Sequence, residues 1–437
     1  MSDRNSRRIS ELVKQSGNNE CADCGYQNPE WASCNIGVFL CTTCATWHRR
    51  LGTHVSKVKS LKLDKWDDEQ VESMEAVGNI QAKQKYEVHV PACYRIPKAG
   101  DPPVLLEQWI RAKYERQEFM SVDKQTYITN NSMEGTLMKK ARDENKYFPR
   151  KFVISDKSLK YYSKENSKEP KATIPLSELN VCLAPAKMNQ DNGLQLSYMC
   201  DGSTRHIYVY HESGETIIQW YMAIRSIKLN WLMVAYPSVA AEELVPYLTN
   251  DFVIEGWLSK TGPSERDAYR KRWFILDDRK LMYHEGPMDA YPRGEIFLGY
   301  KDDNYSIQEG VPRGCKDHDF SFSLTTPERT FVMSAPTLDE RSRWMQAINT
   351  VLERTLRPQD NQSSCPVSRD VLKIVVRGTH SISAPSLRTH GEMLSGPIAF
   401  EVSRSLSSFC TSSSVVLAVN LVRKRPGKFS LDIFSLG

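Results

Sequence analysis

Apolar and polar positions alternate in short runs along the middle of the chain, as in SLKYYS at 158 and HIYVYH at 206, and the alternation returns in RTFVMSA at 329. A period of two over a few residues predicts half-buried antiparallel strands. The period lengthens to that of a helix in TIIQWYMAIRSI around Trp220 and in RSRWMQAINTVL around Trp344. These two groups are copies of one unit. MEGTLMKK at 133 and IEGWLSKT at 254 share Glu-Gly-x-Leu, with glycines 121 residues apart, and are followed by the basic-aromatic runs RKFVI at 150 and KRWFIL at 271. The two tryptophans are 124 residues apart, close to the same offset. Each copy, over residues 132–230 and 253–355, is expected to be a bent antiparallel sheet closed by one C-terminal amphipathic helix. Ahead of them, PVLLEQWIRAKYERQEF spaces Leu105, Trp109, Ile110 and Tyr114 along one apolar face, with charges expected on the other, and Pro102 and Pro103 mark its start. It reads as a connecting helix packed back on a first domain, residues 1–125. Residues 356–437 are Ser-rich in places, carry RKRPGK and show no convincing period, so a disordered or poorly packed tail is expected. The fold class is α+β, in several domains.

Composition changes this picture little but excludes some functions. A chain of 437 residues, 40% hydrophobic and 25% charged, can bury full cores in more than one domain. Its net charge of +5 is mild, and residues 1–125 carry 18 Lys+Arg against 17 Asp+Glu, which argues against a nucleic-acid-binding domain. MSDRNSRRISELV lacks an apolar signal core, and VVLAVNLV at 415–422 is too short to span a bilayer, so a cytoplasmic protein is expected. Eleven cysteines, an odd number, fit reduced thiols plus one metal site better than a disulfide framework.

The metal site is readable in CADCGYQNPEWASCNIGVFLCTTC. Cys21, Cys24, Cys41 and Cys44 form two Cys-x-x-Cys pairs separated by sixteen residues, the spacing at which each pair gives two thiolates to one tetrahedral zinc. Four thiolates leave no open coordination position, so the zinc is expected to be structural; Cys34, between the pairs, is expected to be a small buried side chain. Directly after the last cysteine come His48, Arg49 and Arg50, then Gly52, His54 and a Lys57, Lys59, Lys62 series. A planar, permanently charged guanidinium on such a rigid mount can meet charge that develops on phosphoryl oxygens with paired hydrogen bonds. His48 is expected to be a packed or hydrogen-bonded histidine, since four thiolates already satisfy the ion.

The run PEWASCNIGVFLCTTC followed by HRRLGTHVSKVKSLKLDKW resembles the catalytic module of GTPase-activating proteins for Arf, the small GTPases of membrane traffic. By that resemblance Arg49 matches the arginine inserted at the nucleotide of the bound GTPase. EQWIRAKYERQEF resembles the corresponding segment of the subfamily with two pleckstrin-homology (PH) domains, also called alpha centaurins.

Both repeats resemble PH domains that bind phosphoinositides. In the second, Lys260, Arg270, Lys271 and Arg272 flank the loop between the first two strands, Tyr283 stands on the third, and Arg293 follows in AYPRGEIFL. In the first, Lys139, Arg150, Lys151, Tyr161 and Lys171 occupy the corresponding places, and Pro149 is taken to stand where the second has Arg270. Cations converging on one loop make a pocket for adjacent phosphomonoesters. The resemblance runs to about residue 355. It implies binding of phosphatidylinositol 3,4,5-trisphosphate and of inositol 1,3,4,5-tetrakisphosphate, an Arf protein as partner, no nucleic acid, and peripheral recruitment from the cytoplasm to the plasma membrane. Two readings stay open: a GTPase activator brought to phosphoinositides, and a membrane adaptor whose zinc module only binds a partner.

Overall fold

The computed structural model describes residues 2–125, 132–155, 157–262, 267–356 and 360, together with the backbone of 417–425 and 428–435. Met1–Pro366 is one compact unit and Val367–Gly437 a second. Most of the expected disordered tail lies outside the described residues. Within it, β18 (Leu417–Arg425) and β19 (Lys428–Ser435) pair antiparallel, Leu417 opposite Ser435.

The N-terminal module is built on a three-stranded sheet of order β2-β1-β3, from β1 (Trp31–Ser33), β2 (Val38–Leu40) and β3 (Val58–Ser60). The turn from β1 to β2 needs Gly37: its φ is +86°, and a Cβ there would lie 2.5 Å from that of Val77. α1 (Ser2–Leu12) and α3 (Asp68–Ala76) cover one face, burying Ile9, Leu12, Val71 and Met74 around Phe39. α2 (Thr42–Arg50), α4 (Gly78–Tyr86) and α5 (Pro103–Ile110) pack on the rest. α5 continues into a π turn, Arg111–Glu115, and the expected apolar face, Leu105, Trp109, Ile110 and Tyr114, is buried. Charge does not stay on its outer side, however. Lys113 is only 1% exposed, because it falls one turn below Trp109 on the same face and finds Asp23, Glu87 and the Ala22 carbonyl there.

Each repeat is a seven-stranded antiparallel sheet with its last strand beside its first, in the orders β7-β6-β5-β4-β10-β9-β8 and β14-β13-β12-β11-β17-β16-β15. The first comprises β4 (Met133–Lys140), β5 (Tyr147–Ile154), β6 (Ser158–Tyr161), β7 (Ala172–Pro175), β8 (Asn180–Leu183), β9 (Gly193–Cys200) and β10 (Ser203–Tyr210). The second comprises β11 (Ile254–Lys260), β12 (Arg270–Leu276), β13 (Lys280–His284), β14 (Gly294–Phe297), β15 (Ser306–Glu309), β16 (Ser321–Thr325) and β17 (Thr330–Ser334). The closing helices are Gly214–Ala235 and Leu338–Glu353; Ser213 and Thr337 cap their first turns by accepting from the backbone amides of Thr216 and Glu340. The repeated glycines and tryptophans meet. A Cβ on Gly135 would lie 3.6 Å from the Trp220 indole, and one on Gly256 would lie 3.7 Å from that of Trp344. The glycine lets the helix tryptophan lie on the first strand and plug the sheet.

One hydrophobic core runs without a break from the cysteine cluster through Trp109 and Phe119 into Phe152 and Trp220 of the first repeat. The second repeat has a core of its own. It meets the first through polar groups and one apolar contact: Lys187 pairs with Glu255, Lys280 Nζ donates to the Thr204 hydroxyl at 3.0 Å, Glu295 accepts from the Thr204 amide and, at 3.0 Å, from the Ser203 hydroxyl, and Met288 packs beside Tyr147, Tyr208 and Tyr210.

Candidate functional site

Cys21, Cys24, Cys41 and Cys44 are buried, with their sulfurs all within 4.8 Å of one another and Cys24 and Cys41 3.6 Å apart. Tetrahedral zinc with bonds of about 2.3 Å places its ligand sulfurs about 3.8 Å apart, so the donor set and its spacing fit such an ion. Four thiolates this close need a cation between them to ionise together. No described cysteine is in a disulfide, and Cys34 is buried away from this set, as expected. The cluster also starts α2: Cys41 is its N-cap residue, and the Cys41 sulfur accepts from the Cys44 amide at 3.5 Å.

At the far end of α2 the Arg49 side chain is exposed, its guanidinium 4.2 Å from the centre of the Trp31 ring. Trp31 is itself held by its indole N–H donating to the Thr42 hydroxyl at 3.3 Å. Arg50 lies instead over Trp47, at 4.5 Å. Beneath Arg49, His48 is fully buried between the Asp23 carboxylate, 3.0 Å from Nε2, and the Ser56 hydroxyl, 2.8 Å from Nδ1. Burial alone would raise the Asp23 carboxyl; Lys113, His48 and Tyr114 outweigh it and hold its pKa at about 2. The arginine is therefore the exposed tip of a helix fixed at one end by sulfur and at the other by a buried charge network.

In the second repeat, Lys260, Arg270, Arg272, Tyr283 and Arg293 line one open cavity of about 460 Å³. The Lys260 ammonium lies 4.8 Å from the Tyr283 ring. Burial, then Arg329 and Arg272, push the Lys260 pKa down. Arg293 pairs with Glu285 at 3.0 Å, and Arg272 lies 3.9 Å from the same carboxylate. Lys271 is not part of this group. Strand alternation turns it to the outer face, where its ammonium lies 4.9 Å from the Trp257 ring.

The first repeat gathers Lys139, Arg150, Tyr161 and Lys171 in the same frame. Lys139 lies 5.4 Å from the Tyr161 ring, and burial followed by Arg205, Lys171 and Arg150 pushes its pKa down to about 8. Lys171 donates its amide to the Tyr161 carbonyl as Arg293 does to that of Tyr283, so the two cations are equivalent. Lys151 points outward and pairs with Glu134 at 3.2 Å. Strand register corrects the alignment of the two repeats. Arg150 faces Leu137 as Arg272 faces Leu258, so Arg150 corresponds to Arg272, Pro149 to Lys271, and Phe148 to Arg270. Alignment on sequence alone slides the basic run by one residue, and a one-residue slip exchanges the faces of every side chain.

Two cations escaped the sequence reading. Val209 faces Lys139 and Met333 faces Lys260, which makes Arg205 and Arg329 equivalent; each lies close enough to its lysine to lower that lysine's pKa. The signal was present as an arginine at the start of the last strand of both copies, at the same 124-residue offset as the tryptophans.

A four-cysteine module presenting an arginine, followed by two such sheets, is the layout of a GTPase-activating protein for Arf that carries PH domains. Residues 6–123 match the ArfGap family, GTPase activating proteins for Arf, and residues 131–228 and 252–353 each match the PH domain. The chain is 43% identical over 364 residues to Arf-GAP with dual PH domain-containing protein 2 of Homo sapiens, covering 82% of this chain and 95% of that one, and 42% identical to the protein of that name in Mus musculus over the same shares. Over 115 residues it is 49% identical to ADP-ribosylation factor GTPase-activating protein AGD12 of Arabidopsis thaliana, 26% of this chain and 34% of that one. The chain belongs to the Arf GTPase-activating proteins with dual PH domains. Among the described residues, no helix is long and apolar enough to cross a membrane.

Proposed function

We propose that this protein stimulates GTP hydrolysis by a membrane-bound Arf protein by inserting Arg49 in trans, and that its PH domains bring it from the cytoplasm to plasma membrane carrying phosphatidylinositol 3,4,5-trisphosphate. The observation that carries this reading is the placement of Arg49, exposed and stacked on Trp31, at the end of a helix held by the cysteine cluster and by His48. A guanidinium presented this way loses little freedom on docking and can donate two parallel hydrogen bonds to phosphoryl oxygens. One zinc held by Cys21, Cys24, Cys41 and Cys44 supplies rigidity to the start of that helix and takes no part in the chemistry. Lys139, Arg150, Lys171 and Arg205 in the first PH domain, and Lys260, Arg270, Arg272 and Arg293 in the second, are proposed to hold the phosphates of the inositol ring, soluble inositol 1,3,4,5-tetrakisphosphate included, with Tyr161 and Tyr283 as floors beneath the lysines.

The test is Arf-GTP hydrolysis on vesicles with and without phosphatidylinositol 3,4,5-trisphosphate, for wild type and Arg49→Lys. Arginine fingers of other GTPases contribute about 10³ to 10⁵ in rate, and Arg49→Lys is expected to lose most of that while zinc content and vesicle binding stay unchanged. Equal rates for the two proteins would leave the module as a partner-binding domain of a membrane adaptor. Cys44→Ala is expected to lose the zinc and unfold the first module; a native module without metal would refute the structural ion.

A further inference from the structure

The segment Glu285–Arg293, between β13 and β14, belongs to the second PH domain, and its ends line the second cavity through Glu285 and Arg293. Its middle lies on the first domain instead. The Tyr208 hydroxyl donates to the Pro287 carbonyl at 3.2 Å, the Tyr147 hydroxyl lies 3.7 Å from the Met288 sulfur, and the His206 amide donates to the Ala290 carbonyl at 2.8 Å. These contacts deliver the next residue, Tyr291, to the cations of the first domain. Its ring centre lies 5.7 Å from the Arg205 guanidinium and 5.4 Å from that of Arg142, which stands in the loop after β4.

Arg205 is thus held between two tyrosines, because its Nη2 also donates to the hydroxyl of Tyr161, the floor beneath Lys139, at 3.4 Å. Beside it the Tyr198 hydroxyl, on a side chain only 7% exposed and directly across the β9–β10 ladder, has no hydrogen-bond partner, and the buried Arg205 Nε has none either. Among the described residues no carboxylate pairs with Lys139, Arg150 or Arg205, and Arg142 has only the exposed Asp143 beside it, 3.7 Å away. Buried donors without a protein partner, beside cations that no carboxylate neutralises, suit an anionic acceptor from outside the chain.

We propose that the anion site of the first PH domain is composite: Tyr291 of the second domain forms one wall and holds Arg205 and Arg142 in place to receive a phosphomonoester of an inositol polyphosphate. This rests on the reading of the first domain as a headgroup site. A cation held against an aromatic face keeps its charge while losing rotamer freedom before the ligand arrives, which lowers the ordering cost of binding.

The experiment uses the full chain with its zinc, in an Arg272→Ala background that disables the second site. Binding of soluble inositol 1,3,4,5-tetrakisphosphate is followed by calorimetry, and binding to vesicles containing phosphatidylinositol 3,4,5-trisphosphate by co-sedimentation. Tyr291→Leu, which keeps bulk and removes the aromatic face, is expected to weaken both by about 3- to 30-fold, whereas Tyr291→Phe stays within about twofold. Met288→Ala, which disturbs the same junction away from Arg205, is also expected to stay within about twofold. Unchanged affinity for Tyr291→Leu, while Arg150→Ala abolishes binding, overturns the composite site. So does a loss for Met288→Ala as large as for Tyr291→Leu, which would make the effect one of a loosened junction. A loss on vesicles alone would make Tyr291 a bilayer contact, and equally overturns the proposal. If Arg150→Ala itself changes nothing, the headgroup reading of the first domain fails, separately from the role of Tyr291.

Discussion

The two PH domains share strand order, register, capping and tryptophan plug, yet the cation clusters proposed to hold a headgroup differ. The second opens to solvent, with Arg270 opposite Lys260 and with Glu285 already engaging Arg293. The first has Phe148 where the second has Arg270, no carboxylate paired with Lys139, Arg150 or Arg205 among the described residues, and Tyr291 of the neighbouring domain against Arg205. A common backbone therefore sets where cations can stand. What surrounds each copy decides which of them are free for a ligand.

The comparison is broken most strongly by removing one pocket at a time. Arg272→Ala, or Arg150→Ala, is expected to weaken binding to vesicles carrying phosphatidylinositol 3,4,5-trisphosphate by up to about 10² to 10⁴, because tethering makes the second contact intramolecular. Each variant should titrate with one soluble headgroup per chain where wild type takes two. A wild-type stoichiometry of one would make the first copy a spacer.

The junction is expected to respond to acid. His206 and His284 face each other between the domains with ring centres 5.2 Å apart, and Lys187, Lys280, Asp289 and Glu295 surround them. Burial first, against partial support from Asp289, pushes the His284 pKa down to about 4, and burial also lowers that of His206. The unfolded chain thus takes up protons before the folded one. The stabilisation is full above about pH 6.5 and is lost as pH falls toward 4, on the order of 3 kcal/mol for His284. Urea unfolding at pH 7, 5.5 and 4 measures this, and His284→Gln should flatten the profile. An unchanged profile in that variant would place the acid sensitivity elsewhere.

Supplying the first pocket with the cation it lacks sharpens the contrast. Phe148→Arg is expected to raise its affinity for soluble inositol tetrakisphosphate by about tenfold, in line with one added charge-assisted hydrogen bond. No gain would mean that the side chain opposite Lys139 does not reach the headgroup. The smallest effect is a difference in pH dependence. With the Lys139 pKa near 8, deprotonation should weaken the first pocket severalfold between pH 7 and 9, read in the Arg272→Ala background. A flat titration would count against Lys139 as a phosphate ligand.

Much of this was legible in one dimension. Four cysteines at fixed spacing, a glycine and a tryptophan repeated at nearly one offset, and a change of period from two to that of a helix are local patterns, and they led to the cysteine cluster, the two sheets and their closing helices. Arg49 stands out in the sequence because it follows the last cysteine of the metal site by five residues and matches the arginine of the Arf module that the run resembles. Where the structure departs from the sequence pattern, the cause is shared. Lys151 and Lys271 were grouped with their neighbours because adjacency in sequence carries no face, while strand alternation sends them outward to Glu134 and Trp257.

Sequence by itself determined the parts whose partners lie within a few residues or recur at a period: thiolate pairs, helix faces, strand alternation and the repeat. Tertiary structure alone decided what depends on partners far apart in the chain. Lys113 is buried because Asp23, ninety residues earlier, meets it; Arg205 joins Lys139 because the last strand of the sheet returns beside the first; Tyr291 reaches Arg205 because a loop of one domain rests on another. The physical reason is that burying a charge or aiming it at a ligand requires compensation from several directions at once, and only the folded chain brings those directions together.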